Sequence, residues 1–312
     1  MGSMTLNDFT VNTLELNDDY EGKVIATLLS SINNVKGQVS ILYLHGYNDY
    51  FFHPHLAENF NNGGYNFYAL DLRKYGRSLL PHQHPNYCKN INEYYEEIDQ
   101  AIFNIHTQNN NDIIILGHST GGLIASSYVN FGTHKELVAA LILNSPFFEY
   151  NVSGTEKFFT LLIARILSLL NPYAKKNKPL SALYNQSLLS SHYGEWDFNL
   201  NWKPEHGFPA YFKWVIAIYK AQQKLKEESD LDIPILIMHS HKSEKPKVWK
   251  DEILGMDIVL NVNHIKEIGN KLGKKVTFLP VENAIHDIFL SKKEVREKAF
   301  TEMLNWLNKM TK

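Results

Sequence analysis

Six short apolar runs, each stopped by polar or glycine punctuation and separated by stretches of helical spacing, constrain this chain more than anything else in its sequence. The run at 39–44 stops at His45-Gly46, 67–70 at Asp71 and 113–116 at Gly117. The run at 137–143 stops at Asn144-Ser145-Pro146 and 235–238 at His239-Ser240, while 276–280 leads towards His286. Uninterrupted apolar runs of this length suit strands buried on both faces of a parallel sheet. Residues 91–106, 122–131, 265–272 and 293–308 repeat their apolar positions with helical period. Strand and helix in alternation predict an α/β protein with a largely parallel sheet. The stretch 9–29 alternates apolar with polar and predicts one or two antiparallel edge strands.

The alternation breaks at 147–230. That region holds two helical patterns, 156–170 and 210–226, with an irregular stretch at 179–202 between them. It reads as an insertion, leaving residues 1–146 and 231–312 as the core and 147–230 as a cap. The greasiest stretch, 158–170, is 13 residues long and contains Arg165, whereas a membrane span needs roughly 20 apolar residues. It is apolar nearly all round, so it should pack into the cap core, line an acyl-chain site or touch a lipid surface.

Met1-Gly2-Ser3 ahead of Met4 reads as a cloning remnant, and no basic segment followed by an apolar one marks a signal peptide. Cys88 is the single cysteine, which excludes an intramolecular disulfide and fits a reducing cytosol. These features predict a soluble, cytoplasmic protein. A formal net charge of −2 offers no general attraction for nucleic acid.

The chemistry centres on Gly117-His118-Ser119-Thr120-Gly121-Gly122, which follows one predicted strand and opens a predicted helix. In G-x-S-x-G, small residues two positions either side of the serine allow the sharp strand-to-helix turn that exposes a nucleophile. The helix that follows turns its positive end to the serine, favouring the negative charge that develops there. A serine hydroxyl needs a base. Of the 14 histidines, His286 is placed for the task, on a loop after the last strand and before the C-terminal helix. The acid that orients it belongs on the loop after the preceding strand, where Glu244, Asp251, Glu252 and Asp257 are available. Asp257 is preferred because Ile258-Val259-Leu260 anchors it, with Glu244 as the alternative. The oxyanion requires two backbone amides: Thr120, next to the serine, and Tyr47, after His45-Gly46.

Four segments carry a resemblance. They are His45-Gly46, Asp71-Leu72-Arg73-Lys74-Tyr75-Gly76-Arg77-Ser78, the GHSTGG turn, and Ala284-Ile285-His286-Asp287-Ile288-Phe289-Leu290-Ser291. Together they resemble the monoacylglycerol lipase/lysophospholipase branch of the α/β hydrolases, often grouped with serine aminopeptidases. The resemblance covers about residues 20–146 and 231–310. It implies an eight-stranded, mostly parallel sheet flanked by helices, with a helical cap after the sixth strand. It also implies hydrolysis of esters or similar acyl bonds without a cofactor. The substrate would be a small acyl ester or lipid, such as a monoacylglycerol, lysophospholipid or short-chain ester. Within the fold the alternative is a peptidase or amidase; outside catalysis it is a binding scaffold. The chain departs from the family pattern at 241–255, an apparent insertion that pushes the acid out to Asp257, and at Lys74-Tyr75, where the usual segment runs Asp-x-Arg-Gly. Asp71 and Arg73 are expected to stabilise the nucleophile region.

Three H-x-H pairs, His53/His55, His82/His84 and His239/His241, lack a third ligand at zinc spacing, so no metal is expected. No phosphate-loop or dinucleotide fingerprint follows a strand. The lysines at 242–250 read as a solvated basic loop, and Trp196, Trp202 and Trp214 suit an apolar, enclosed pocket. Oligomeric state is not encoded in any of these features.

Overall fold

The apolar runs and the alternating N-terminal stretch become the eight strands of a single sheet in the computed structural model, which describes residues 4–176 and 182–310. The strands are β1 (Phe9–Glu15), β2 (Ile25–Ser31), β3 (Ser40–Leu44), β4 (Asn66–Asp71), β5 (Ile113–His118), β6 (Val138–Asn144), β7 (Ile235–Ser240) and β8 (Val276–Val281). Their spatial order is β1-β2-β4-β3-β5-β6-β7-β8. β1 and β2 pair antiparallel, as does β2 with β4; the remaining neighbours are parallel. The 9–29 stretch thus supplies the antiparallel edge, and the rest is the mostly parallel sheet that the resemblance implies.

The period of two along each strand sorts side chains to two cores. Leu42 and Leu44 of β3 join the layer of α2 (Tyr95–Asn109) and α3 (Thr120–Phe131), where Ile98, Ile102 and Leu123 are buried. Ile41 and Tyr43 face the layer of α1 (His55–Asn62) and the C-terminal helix (Lys293–Met310), meeting Leu56, Phe60 and Met303. Each such aliphatic or aromatic burial contributes about 1.5–3 kcal/mol. A sheet covered on both faces has its strand ends as the natural place for chemistry, and the loops that follow β3, β5, β7 and β8 build the site.

Between β6 and β7 the chain leaves the sheet for α4 (Gly154–Leu170), α5 (Leu183–Leu188) and α6 (Phe212–Glu228). The helix α5 falls where the sequence reads as irregular; residues 177–181 of that stretch lie outside the described ones. α6 buries Trp214, Ala217, Ile218 and Leu225. α4 behaves differently from a core helix. It buries Leu161, Ala164 and Ser168 and leaves Phe158, Phe159, Ile163, Ile166, Leu169 and Leu170 exposed. Even so, no helix among the described residues is long and apolar enough to cross a membrane. Of the three tryptophans expected around a pocket, Trp214 lines the one beside Ser119, and Trp196 and Trp202 do not. The Trp196 indole N–H donates to the Leu290 carbonyl at 2.8 Å and Trp202 meets Tyr50 edge-on at 5.2 Å, so both dock the insertion onto the core.

Candidate active site

The turn after β5 holds Ser119 at φ 52°, ψ −115°, a left-handed conformation that a residue with a Cβ adopts only when its surroundings enforce it. Glycines supply that enforcement. A Cβ on Gly121 would lie 2.3 Å from the Leu44 carbonyl oxygen, and one on Gly117 2.6 Å from the Gly121 carbonyl oxygen. The turn is therefore pressed against the end of β3, which the spacing of the two glycines foretells. The Ser119 carbonyl accepts from the Gly122, Leu123 and Phe147 amides at 3.0, 3.3 and 2.9 Å, which locks the serine onto α3 and the loop after β6.

His286 reaches Ser119 from the loop after β8. Its Nε2 lies 3.0 Å from Ser119 Oγ, and its Nδ1 lies 2.8 Å from Asp257 Oδ2. With Nδ1 donating to the carboxylate, Nε2 is left to accept from the serine hydroxyl. Asp257 is fully buried, and its second oxygen accepts from the Val259 and Leu260 amides, each at 2.8 Å. The backbone of the anchor Ile258-Val259-Leu260 thus holds the carboxylate, as well as its apolar side chains. Glu244 lies apart: half exposed, it forms an ion pair with Lys250 at 2.7 Å, and that lysine pulls its carboxyl below the usual range. Asp251 and Glu252 are exposed on the same loop. The loop's base is pinned to the acid, because the Asp257 amide donates to the Lys242 carbonyl at 3.0 Å and the Glu244 amide to the Asp257 carbonyl at 3.1 Å.

Tyr47 and Thr120 both line the same pocket as Ser119 and His286. Neither amide donates to a protein acceptor among the described residues. The Tyr47 loop is fixed by His45, whose Nδ1 donates to the Gly46 carbonyl at 2.8 Å while its Nε2 accepts from the Leu72 amide at 3.1 Å. That pattern requires the neutral ring, and burial pushes the His45 pKa down accordingly. Further along, Asp71 accepts from the Phe51 amide at 2.9 Å and from the Arg77 guanidinium at 2.8 Å. Arg73 instead pairs with Glu96 and Glu97 of α2. Asp71 therefore shapes the loop beyond Tyr47, and Arg73 clamps a helix.

The eight-stranded sheet with this turn is the α/β-hydrolase arrangement, and the family model for serine aminopeptidase, S33, matches residues 35–245. The chain belongs to this family. It is a serine hydrolase. Among solved structures it is similar to a soluble variant of the monoglyceride lipase of Saccharomyces cerevisiae, with 17% identity, a TM-score of 0.66 and 98% of each chain covered. It is also similar to the Paleococcus ferrophilus monoacylglycerol lipase, with 17% identity, a TM-score of 0.64, and 96% of this chain and 98% of the other covered. A thermostable Bacillus coagulans carboxyl esterase gives 14% identity, a TM-score of 0.65, and 98% and 99% coverage. No curated protein sequence matches it. At these identities the structural likeness speaks for the fold.

The pocket of this S33-family hydrolase measures about 670 Å³. Its floor is Tyr47, Ser119, Thr120 and His286, and the segment between β6 and β7 adds Leu161, Phe212 and Trp214 as an apolar wall. Several buried polar groups behind the floor have no signature in the sequence. Lys203 Nζ, from the insertion, meets Asp49 Oδ1 at 2.6 Å with both side chains buried. Asp287, next to His286, accepts from the Asn144 side chain at 2.8 Å, and its other oxygen lies 3.8 Å from His118 Nε2. Asp49, His118 and Asp287 bring one ligand atom each within 4.8 Å of one another. Lys203 already neutralises Asp49, so this set is read as a polar support for the floor. Of the H-x-H histidines, His55 donates from Nε2 to the Phe289 carbonyl, His82 from Nε2 to that of Lys23, and His239 from Nδ1 to that of Ser240.

Proposed function

We propose that the protein hydrolyses carboxylic esters with an apolar acyl group through an acyl-enzyme, with Ser119 as nucleophile, His286 as general base and Asp257 as the carboxylate that orients it. The observation that carries this reading is the continuous relay from Ser119 Oγ to His286 Nε2 at 3.0 Å and from His286 Nδ1 to Asp257 Oδ2 at 2.8 Å, opening on an apolar pocket. Ser119 Oγ attacks the ester carbonyl carbon as its proton passes to His286 Nε2. The amides of Tyr47 and Thr120 stabilise the oxyanion. Collapse of the tetrahedral intermediate expels the alcohol, which takes the proton from His286. Water then attacks the acyl-enzyme, again giving its proton to His286, and the acid leaves as Ser119 is reprotonated. Residues 147–230 serve as the lid over this reaction, and the apolar face of α4 as its contact with lipid.

A peptidase reading follows from the family description, but an enzyme for free N-termini needs an uncommitted carboxylate to receive the ammonium. Asp49, the buried carboxylate of the pocket, is engaged by Lys203, and the other lining carboxylate, Glu156, is exposed at the start of α4, which favours the ester.

The test is a p-nitrophenyl ester series from acetate to palmitate, with Ser119→Ala as control. Expected is turnover that falls by at least about 10³-fold in the variant and rises for the long esters once they form aggregates. Activity that survives Ser119→Ala would refute the assignment.

A further inference from the structure

The loop 241–255, the apparent insertion in the sequence, plays no part in the relay beyond carrying its acid, yet it is built with care. At its base it is tied to Asp257 through the backbone bonds to Lys242 and Glu244. At its far side the Trp249 ring stacks on Tyr193 of the β6–β7 insertion, with centroids 3.6 Å apart and planes 9° from parallel. Two anchors, one on the core and one on the insertion, hold the Lys245-Pro246-Lys247 tip at the edge of the catalytic pocket, which all three residues line.

The charges at that edge are unbalanced. Five lysines line the pocket: Lys157, Lys176, Lys203, Lys245 and Lys247. Lys203 is paired with Asp49 and Lys157 with Glu149. Lys176, Lys245 and Lys247 have no carboxylate in ion-pair range among the described residues, and all three are exposed. Against them stands one lining carboxylate without a cation of its own, Glu156. The loop's own acids do not line the pocket: Glu244 holds Lys250, Asp251 accepts from the Trp249 indole at 3.3 Å, and Glu252 is exposed to solvent. An apolar pocket whose rim carries unpaired cations raises the local concentration of anionic solutes. Because these lysines are exposed, the anion they meet stays partly hydrated at the mouth, while the acyl chain takes the apolar interior.

We propose that Lys245 and Lys247, with Lys176, form a subsite for an anionic group, phosphate or carboxylate, carried by the alcohol portion of the ester. This rests on the ester-hydrolase reading above and narrows its substrate class. The subsite sets specificity and takes no part in the chemical step.

The experiment compares kcat/KM for three esters of equal acyl length: 1-decanoylglycerol, 1-decanoylglycerol 3-phosphate and 3-O-decanoylglycerate. All are kept below their critical micelle concentrations, so that attraction to an anionic aggregate cannot contribute. Expected is a preference of about tenfold for at least one anionic ester over the neutral one at low ionic strength. It should shrink towards parity in 0.5 M NaCl, because exposed ion pairs are screened over about 3–10 Å. The double variant Lys245→Glu/Lys247→Glu should invert the ratio; since each preparation is read as a ratio of two substrates, partial loss of folded enzyme cancels. The phosphate and glycerate arms identify which anion is read. Parity between charged and neutral esters in the unaltered enzyme, or a ratio that the double variant leaves unchanged, would overturn the subsite. Absence of Ser119-dependent turnover on all three esters would strike the ester reading itself and is a separate result.

Discussion

The floor and the roof of the pocket are made by different means. The floor is backbone: a left-handed serine and two glycines pressed against neighbouring carbonyls, all within a few residues of strand ends. The roof is side chain: Leu161, Phe212 and Trp214 for lining, Trp196 and Trp202 for docking, and Lys203 for a buried tether. A backbone device tolerates almost no substitution, because neighbouring strand ends press against it. A side-chain device can be exchanged piecemeal, which lets chemistry stay fixed while the choice of substrate changes.

The sharpest way to break the floor is through its acid. Asp257→Asn is expected to lower kcat by about 10⁴-fold, because the amide favours the wrong imidazole tautomer. Glu244→Gln, on the exposed side of the same loop, should stay within a few-fold of the unaltered enzyme. Steady-state kinetics on one ester distinguishes them, and equal losses would undo the preference for Asp257.

The roof should fail in stability before it fails in chemistry. Lys203→Met leaves Asp49 buried without its cation, a loss of about 3–5 kcal/mol visible in urea unfolding. Restoring neutrality with Asp49→Asn in the same chain should recover part of it. If the single variant unfolds like the parent, the tether is not a structural element.

A pH-dependent effect, small for each group, comes from histidines beneath both regions. Burial pushes His55 down to about 4 and lowers His45, His53 and His118 as well. Each is held neutral in the fold, while the unfolded chain protonates near its ordinary value of about 6.5. Their contribution is therefore complete above that pH and is lost as pH falls towards 4. The slope is about 1.4 kcal/mol per pH unit for each histidine across its own window. Thermal melts at pH 7, 6 and 5 should show Tm falling with pH; a flat profile would contradict the burial of these rings.

How much of this was legible beforehand follows the same division. Apolar runs, glycine spacing and the order serine, acid, histidine are local patterns, so the sheet and the residues that now meet in the relay could be named from the chain. Asp257 could be preferred over Glu244 through its apolar neighbours, although what grips it is the backbone of Val259 and Leu260. Lys203 and Asp49 are 154 positions apart, and neither sits in a recognisable motif; only the packed structure pairs them. For α4 the sequence left packing, chain lining and lipid contact open, for a related reason. Its composition says greasy, and what lies beside a greasy helix is a property of the assembled neighbours. The short helix α5 was read as irregular because six residues give no period to detect.

The buried tether also restricts how the pocket can breathe. Drawing Lys203 away from Asp49 would leave two buried charges without partners, a cost that opposes any displacement of this part of the roof from the core. The ion pair thus acts as a pin, and whatever enters or leaves the pocket does so with that pin in place.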